Sequence, residues 1–263
     1  MNRRYFTGEF IGTFLLVFLG CSTVASAVLL SSFNSLYQVA ALWGAAVTVA
    51  IYASVHLSGA HLNPAITLCL ACFTDFSWRK APLYIAAQCL GAFAAGGLLF
   101  ILFEPSITLF EQAEGIVRGE IGSERSAMIL AEFYPNPAGA PHTQGFTLKH
   151  AIMAEGLGTA ILAFVICSLS TQPSSRMPSW LPPLIIGITL TVLISIIAPI
   201  SQAGFNPARD LMPRLVLSLT GWGAYPFSCL GAGWLLVYVI APIIGAITGG
   251  YLHKLTSPHL STT

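Results

Sequence analysis

Two Asn-Pro-Ala triplets, Asn63-Pro64-Ala65 and Asn206-Pro207-Ala208, are the residues whose types and spacing point most directly to chemistry. Asparagine is a favoured helix cap and proline suits the first helical turn, so each triplet predicts a helix start. If the two helix starts met inside a membrane, their positive dipole ends would repel a cation or an excess proton. The two asparagine amides could still donate hydrogen bonds to a neutral molecule.

Five charged residues are candidates for a place at membrane depth or at a pore mouth: Glu9, Glu155, Arg209, Asp210 and Arg214. A charge inside lipid is costly unless it faces a bundle interior or water, so each is a functional candidate. Arg209 follows Asn206 by three residues, which is about one helical turn. Glu9 and Glu155 lie in similar sequence contexts, and we interpret them as acceptors for backbone N–H groups rather than as a proton relay.

The sequence contains no combination of residues typical of an enzyme or a metal site. No nucleophile–base set is recognisable. Cys69 and Cys72 form a lone C-x-x-C, which lacks the second pair or nearby histidine that would complete a metal site. We interpret all six cysteines as small apolar packing residues. No enzymatic activity, metal or cofactor is therefore predicted.

The composition predicts a protein whose solvent is mostly lipid. The 263 residues include 11 Lys or Arg and 10 Asp or Glu, which is 8% charged residues. Soluble domains carry about 25%. Hydrophobic residues make up 55%, and the mean hydropathy is +0.77. The net charge of +1 argues against a nucleic-acid partner, because phosphate binding needs a basic surface.

Charge-poor stretches of about 20 residues predict the elements that position these side chains. Six such stretches predict membrane-spanning helices over residues 5–32, 36–56, 81–103, 151–170, 181–201 and 230–250. Two further apolar pieces run from about Pro64 to Thr74 and from about Pro207 to Leu217. They are too short to span, and short Pro-interrupted segments in matching places predict re-entrant half-helices.

The chain repeats itself in three places. Glu9 and Thr13 recur as Glu155 and Thr159, the Asn-Pro-Ala triplets lie 143 residues apart, and Gly91-Ala92 recurs as Gly245-Ala246. Three crossings per half is an odd number, so the second half is inverted relative to the first. We therefore predict an all-α membrane protein with six transmembrane helices and two re-entrant half-helices. The repeats cover residues 1–104 and 148–263, separated by an extracellular loop over 105–147.

Basic residues in short loops predict the orientation, because they favour the cytoplasmic side. Six of them fall on one side, which also holds both termini: Arg3, Arg4, Arg79, Lys80, Arg176 and Lys254. His61 is then predicted to line a cytoplasmic vestibule, whereas His56 either points inward or caps a helix end.

A third triplet beginning at Asn136 is predicted to form a turn in the outer loop. Short termini and the lack of a targeting segment favour a bacterial inner membrane.

The segments Ser58-Gly-Ala-His-Leu-Asn63-Pro-Ala65 and Gly204-Phe-Asn206-Pro-Ala-Arg209-Asp210 resemble the signatures of the major intrinsic protein (aquaporin) family. The resemblance extends over nearly the whole length. It implies the aquaporin fold, a single channel domain over 1–263 in the lipid bilayer, and a homotetramer with one pore in each subunit. It also implies that small neutral solutes pass without coupling to an energy source.

The resemblance also implies four residues at the narrowest point of the pore, which we expect to act as the selectivity filter. They are Trp43, Ile194, Ala203 and Arg209. Tryptophan is typical of glycerol-conducting members, whereas Ile194 falls where water-selective members usually carry histidine. Ala203 falls where glycerol facilitators often carry an aromatic residue, and the four together resemble the plant nodulin-26-like constriction.

Asp210 after the arginine is similar to the aquaglyceroporin branch, so the sequence predicts a passive channel for glycerol, other small uncharged solutes and water. Protons and ions would be excluded. Because Ala203 widens the ring, a channel mainly for water, ammonia, urea or metalloid acids is the alternative. A coupled secondary transporter also uses inverted repeats and broken helices, but it would need coupling sites beyond Glu9 and Glu155.

Overall fold

The computed structural model describes residues 2–171 and 177–257, and within these ranges the chain is helical with no strand. Six helices are long and apolar enough to cross a membrane, and two shorter ones begin at the Asn-Pro-Ala triplets. The eight helices are α1 Asn2–Leu30, α2 Leu36–Ser58, α3 Pro64–Phe73, α4 Ala81–Glu114, α5 Leu148–Ser170, α6 Leu181–Ser201, α7 Pro207–Leu217 and α8 Gly233–Thr256. The predicted fold class is confirmed. Arg176, one of the basic residues used for the orientation, lies outside the described ranges.

The helices pack in the same way within each repeat. In the first repeat α1 packs against α2 and α4, and in the second α5 packs against α6 and α8. Each half-helix packs against the last spanning helix of the other repeat, α3 on α8 and α7 on α4. Because each half-helix packs against the opposite repeat, both lie in the centre of the molecule, where residues from both repeats can form one site.

Two repeat-related glycines allow close helix crossings. A Cβ on Gly91 of α4 would overlap the carbonyl oxygen of Phe10 on α1. A Cβ on Gly245 of α8 would overlap the carbonyl oxygen of Gly156 on α5. Small residues let helices approach closely in lipid, where packing replaces the hydrophobic effect as the main attraction.

The half-helices start where they do because of their first residues. The Asn63 side chain accepts a hydrogen bond from the Ala65 N–H at 2.8 Å, and Pro64 occupies the first turn. Asn206 caps α7 in the same way, accepting from the N–H groups of Ala208 and Arg209. An asparagine cap satisfies one of the backbone donors that a helix start leaves unpaired.

The predicted outer loop is partly helical. Helix α4 passes through Pro105 and continues to Glu114, beyond the point where the charge-poor stretch ends. Absence of charge marks the part of a helix that lies in lipid, and it does not mark the end of the helix. In the last turn of α4, Glu111 forms an ion pair of 2.8 Å with Arg118, which lies beyond the helix.

The rest of this outer segment packs into the core instead of standing free above it. Ile129, Leu130 and Phe133 are buried. The Tyr225 hydroxyl, in the connection after α7, donates to Glu124 at 2.5 Å. Burial, together with this hydrogen bond, raises the pKa of Tyr225 above its usual value. The segment therefore forms a fixed cover over one end of the bundle.

Candidate functional site

The loop that leads into α3 is held by Glu9. Its Oε1 accepts hydrogen bonds from the Ser58 hydroxyl at 2.6 Å and the His61 N–H at 3.0 Å. Its Oε2 accepts from the Leu62 N–H at 2.8 Å and from Gln88 Nε2 at 2.7 Å. The carboxylate is fully buried, and all four of its contacts are donors. A buried carboxylate with this many donors is a structural acceptor.

Glu155 holds the loop that leads into α7 with the same pattern. Its Oε1 accepts from the Ser201 hydroxyl at 2.6 Å and the Gly204 N–H at 2.9 Å, and its Oε2 accepts from the Phe205 N–H at 2.8 Å. Among the described residues, no glutamine donates to Glu155 in the way that Gln88 donates to Glu9. Both glutamates thus have the geometry expected for acceptors of backbone N–H groups.

These contacts hold two loops in an uncommon backbone conformation. Ala60 and Leu62 have φ values of 56° and 54°, and the residues that match them in the second repeat, Ala203 and Phe205, have 65° and 55°. Positive φ in residues other than glycine costs about 1–3 kcal/mol each. Each glutamate fixes a loop that would otherwise relax.

The two asparagines of the triplets reach across to each other's loops. Asn63 Nδ2 donates to the carbonyl oxygen of Phe205 at 2.7 Å, and Asn206 Nδ2 donates to that of Leu62 at 2.8 Å. An amide nitrogen carries two hydrogens, so each asparagine keeps a second N–H for another partner. The N-terminal ends of α3 and α7 therefore meet at the centre of the molecule.

Two cavities approach each other at one ring of residues. The larger, about 950 Å³, extends from the end of the bundle that holds Asp75 and Lys254. The smaller, about 640 Å³, lies beneath the outer segment. Within the described part of the chain, the two linings have four residues in common: Trp43, Ile194, Ala203 and Arg209. The structure thus brings together the four residues that the family resemblance implied at the narrowest point.

Arg209 is the charged member of this ring, and it is held from three sides. Its guanidinium carbon lies 4.9 Å from the centroid of the Trp43 ring. Nη1 donates to the carbonyl oxygen of Leu130 at 3.0 Å, and Nε forms an ion pair with Glu132 Oε1 at 3.0 Å. Both side chains of the pair are almost completely buried. A charge at this depth needs such a partner, because desolvating an unpaired ion is expensive.

Glu132 is a site residue that the sequence reasoning missed. It lies in the outer segment among several other glutamates, and nothing in the sequence distinguishes it from them. The signal that could have indicated an acid here is Arg209 itself, since a buried arginine requires a counter-charge.

Asp210, which follows Arg209 in the chain, lies behind the ring and outside both cavity linings. Its carboxylate accepts from Arg214 Nε at 3.0 Å and from the Glu132 N–H at 2.8 Å. Arg214 also donates to the carbonyl oxygens of Glu132 and Pro226. Two acidic and two basic side chains therefore join α7 to the outer segment in a balanced, buried network.

The chain belongs to the major intrinsic protein family. The model of that family matches residues 1–253. The chain is 38% identical to the glycerol uptake facilitator protein of Pseudomonas aeruginosa over 96% of its own length and 88% of that protein. It is 33% identical to aquaporin-9 of Homo sapiens, over 94% of its length and 80% of that protein. Its fold is similar to that of the aquaglyceroporin from Plasmodium falciparum, with a TM-score of 0.82, 25% identity and complete coverage of both chains.

In this member of the family, the two histidines near α3 differ in position. His61 lines the larger cavity and packs against Phe76 and Tyr84. His56 is exposed, lies outside both cavity linings, and accepts a hydrogen bond from Arg4 through its backbone oxygen. The pore-facing alternative for His56 therefore has no support in this geometry.

The third Asn-Pro-Ala triplet forms a turn in the outer segment. Asn136 donates to the carbonyl oxygen of Ala198 at 2.8 Å and lies in the lining of the smaller cavity. Among the residues that the structure describes, it caps no helix and has no partner on the opposite half-helix loop like those of Asn63 and Asn206. The triplet thus forms a local turn near one mouth of the pathway and does not start a half-helix.

Proposed function

We propose that this chain is a passive membrane channel for glycerol, other small uncharged solutes and water. The observation that carries the proposal is the ring of Trp43, Ile194, Ala203 and Arg209 at the junction of two cavities. Trp43 and Ile194 offer apolar surface to a carbon backbone, and Arg209 offers donors to hydroxyl groups on one side. The names of the curated relatives support a glycerol pathway.

Exclusion of protons and ions follows from the half-helices. The N-terminal ends of α3 and α7 present positive dipole ends to the centre of the path, which disfavours a cation there. The spare N–H groups of Asn63 and Asn206 can orient a neutral solute by donating to its oxygen. No coupling ion is needed for such transport.

Glu132 adds a second element to this filter. The ion pair with Glu132 holds the guanidinium of Arg209, and its hydrogen-bond donors, in a fixed position. The carboxylate of Glu132 also balances the positive charge of Arg209. Cation exclusion in this channel therefore depends more on the half-helices than on a net charge at the ring.

A second candidate function rests on Ala203. Its small side chain leaves one side of the ring without an aromatic residue, which favours passage of urea, ammonia or an uncharged metalloid acid beside glycerol. Such solutes need no apolar surface and would be limited mainly by the width of the ring.

The chain is a multi-pass membrane protein. We propose a bacterial inner membrane as its location. We infer that both termini lie in the cytoplasm, because basic residues such as Arg3, Arg4, Arg79 and Lys80 favour that side. The larger cavity then opens to the cytoplasm. The family resemblance favours a homotetramer with one pathway in each subunit.

Shrink–swell rates of proteoliposomes, followed by stopped-flow light scattering, test this function. Glycerol, water, urea and ammonia should be compared in the same vesicles, with protein-free liposomes as the control. We expect accelerated glycerol flux that persists when the ion gradients are collapsed. Flux that stops with the gradients would establish coupled transport instead, and water or ammonia flux without glycerol flux would support the second candidate.

A further inference from the structure

The buried thiols of Cys69 and Cys167 form a cluster that solute transport does not explain. Cys69 lies on α3 and Cys167 on α5, and their sulfur atoms are 3.7 Å apart. Each residue is 1% exposed. Gly250 on α8 leaves room for this pair, since a Cβ there would lie 2.5 Å from the Cys69 sulfur.

The pair lies directly behind the wall of the larger cavity. Ile66, Leu70 and Phe73 on α3, and Ile166 beside Cys167 on α5, all line that cavity. Cys72, one turn beyond Cys69, is exposed and lines it as well. A small uncharged reagent that enters the cavity would meet the side chains that separate it from the two thiols.

The geometry points to a dithiol site for a trivalent arsenical formed by Cys69 and Cys167. The bond between a thiolate sulfur and a soft central atom is about 2.3 Å long, as it is with zinc. Two such bonds to one atom, at a pyramidal or tetrahedral angle, place the two sulfurs roughly 3.5–3.8 Å apart. The observed 3.7 Å fits this separation. A disulfide would need the sulfurs to close to about 2.05 Å and would need an oxidant.

Trivalent arsenic suits this site better than a metal ion does. Zinc prefers four ligands, and no group of three or more metal-ligating side chains occurs in the part of the chain that the structure describes. A trivalent arsenical needs only two thiols, since its third substituent stays attached. Two thiols held side by side also react as a pair, because the second bond forms within one molecule.

The reaction is a condensation without any change of oxidation state. Each thiol sulfur forms one bond to arsenic, and each thiol proton leaves with an arsenic-bound oxygen. Phenylarsine oxide thus loses its single oxygen as one water, and an uncharged arsenic trihydroxide loses two hydroxyl groups as two waters. The product links α3 to α5 through one arsenic atom.

Phenylarsine oxide is the probe for this proposal, applied to the full chain in its membrane. After a wash with a monothiol, intact mass should show one arsenical per chain, less one water, and thiol titration should fall by two. A dithiol such as dimercaptopropanol should remove the adduct. We expect Cys69→Ser and Cys167→Ser each to lose the wash-resistant adduct, whereas Cys72→Ser should keep it.

Loss of the adduct in Cys72→Ser, with retention in the other two variants, would assign the reaction to the exposed cysteine and overturn the proposal. Absence of a wash-resistant adduct in the unmodified chain would overturn it equally. Glycerol flux of each variant in the same membranes verifies that the channel is folded. Because the readout is mass, its outcome is independent of which solutes the channel conducts.

Discussion

The half-helices α3 and α7 occupy equivalent places in the two repeats, but they differ in charge at three matching positions. The differing residues are Ile66, Thr67 and Ala71 on α3 and Arg209, Asp210 and Arg214 on α7. The loops before them are alike, with a glutamate, a serine and left-handed residues in matching places. The two repeats therefore have the same scaffold, and the charges that could discriminate between solutes belong to one half-helix.

The two half-helices also differ in the residues that they contact. The charges of α7 are balanced by Glu132 and by backbone carbonyls of the outer segment, whereas α3 packs an apolar cluster around Cys69. An element outside the repeat was needed to bury an arginine at the ring. The repeat thus provides the pathway, and the segment between the repeats provides the counter-charge.

Replacing Arg209 with alanine should have the largest effect, because Glu132 would be left buried without a counter-charge. Removing one partner of a buried pair costs about 3–5 kcal/mol. We expect a lower midpoint of thermal unfolding in detergent and a leak of small cations into proteoliposomes. The matched variant on α3, Ile66→Ala, leaves no charge behind and should show no cation leak.

The double variant Arg209→Ala/Glu132→Ala distinguishes the effect of an unpaired buried charge from the effect of lost side-chain packing. It removes both ions, so we expect part of the stability to return and the cation leak to disappear. A double variant as unstable and as leaky as Arg209→Ala alone would contradict the role given to Glu132.

Glu9→Gln should destabilise the channel more than Glu155→Gln does. Each oxygen of Glu9 accepts two hydrogen bonds, so an amide group must face two donors in either orientation. Oε2 of Glu155 accepts only one, from Phe205, so glutamine there loses a single contact. Each orphaned buried donor costs about 1–3 kcal/mol. Unfolding midpoints of the two variants, measured side by side, check this order, and an equal or larger loss in Glu155→Gln would contradict it.

Ala203→Phe should have the smallest effect on stability but should change selectivity. The larger side chain narrows the ring, so glycerol flux should fall more than water flux in stopped-flow measurements. Ala60 is the matching residue in the first repeat and lines only the wide cavity, so Ala60→Phe is the control. Equal losses of glycerol and water flux in Ala203→Phe would count against a filter set by width.

Much of the fold could be predicted because lipid imposes simple rules on sequence. The lack of charge indicated six spanning helices, and the two triplets indicated where the half-helices begin. The end of α4 was missed, since the rules for lipid do not apply where a helix leaves the membrane. The four ring residues were implied by the family resemblance, and their role as a filter remains a prediction.

The partner of Arg209 could not be predicted by the same means. Glu132 lies in an irregular segment with no repeat partner, so neither periodicity nor symmetry indicates its position. The pairing of Cys69 with Cys167 was missed for a related reason. The C-x-x-C pattern directs attention to Cys72, whereas the neighbour in space comes from another helix.

The sequence by itself determined the solvent, the number of crossings and the starts of the half-helices, because hydropathy and helix capping act over short stretches of chain. Only the tertiary structure decided which groups balance the charge of Arg209, how Asn63 and Asn206 reach each other's loops, and which thiols are neighbours. These contacts join residues far apart in the chain. Their distances depend on how α3 and α7 pack against the opposite repeat, which no local pattern encodes.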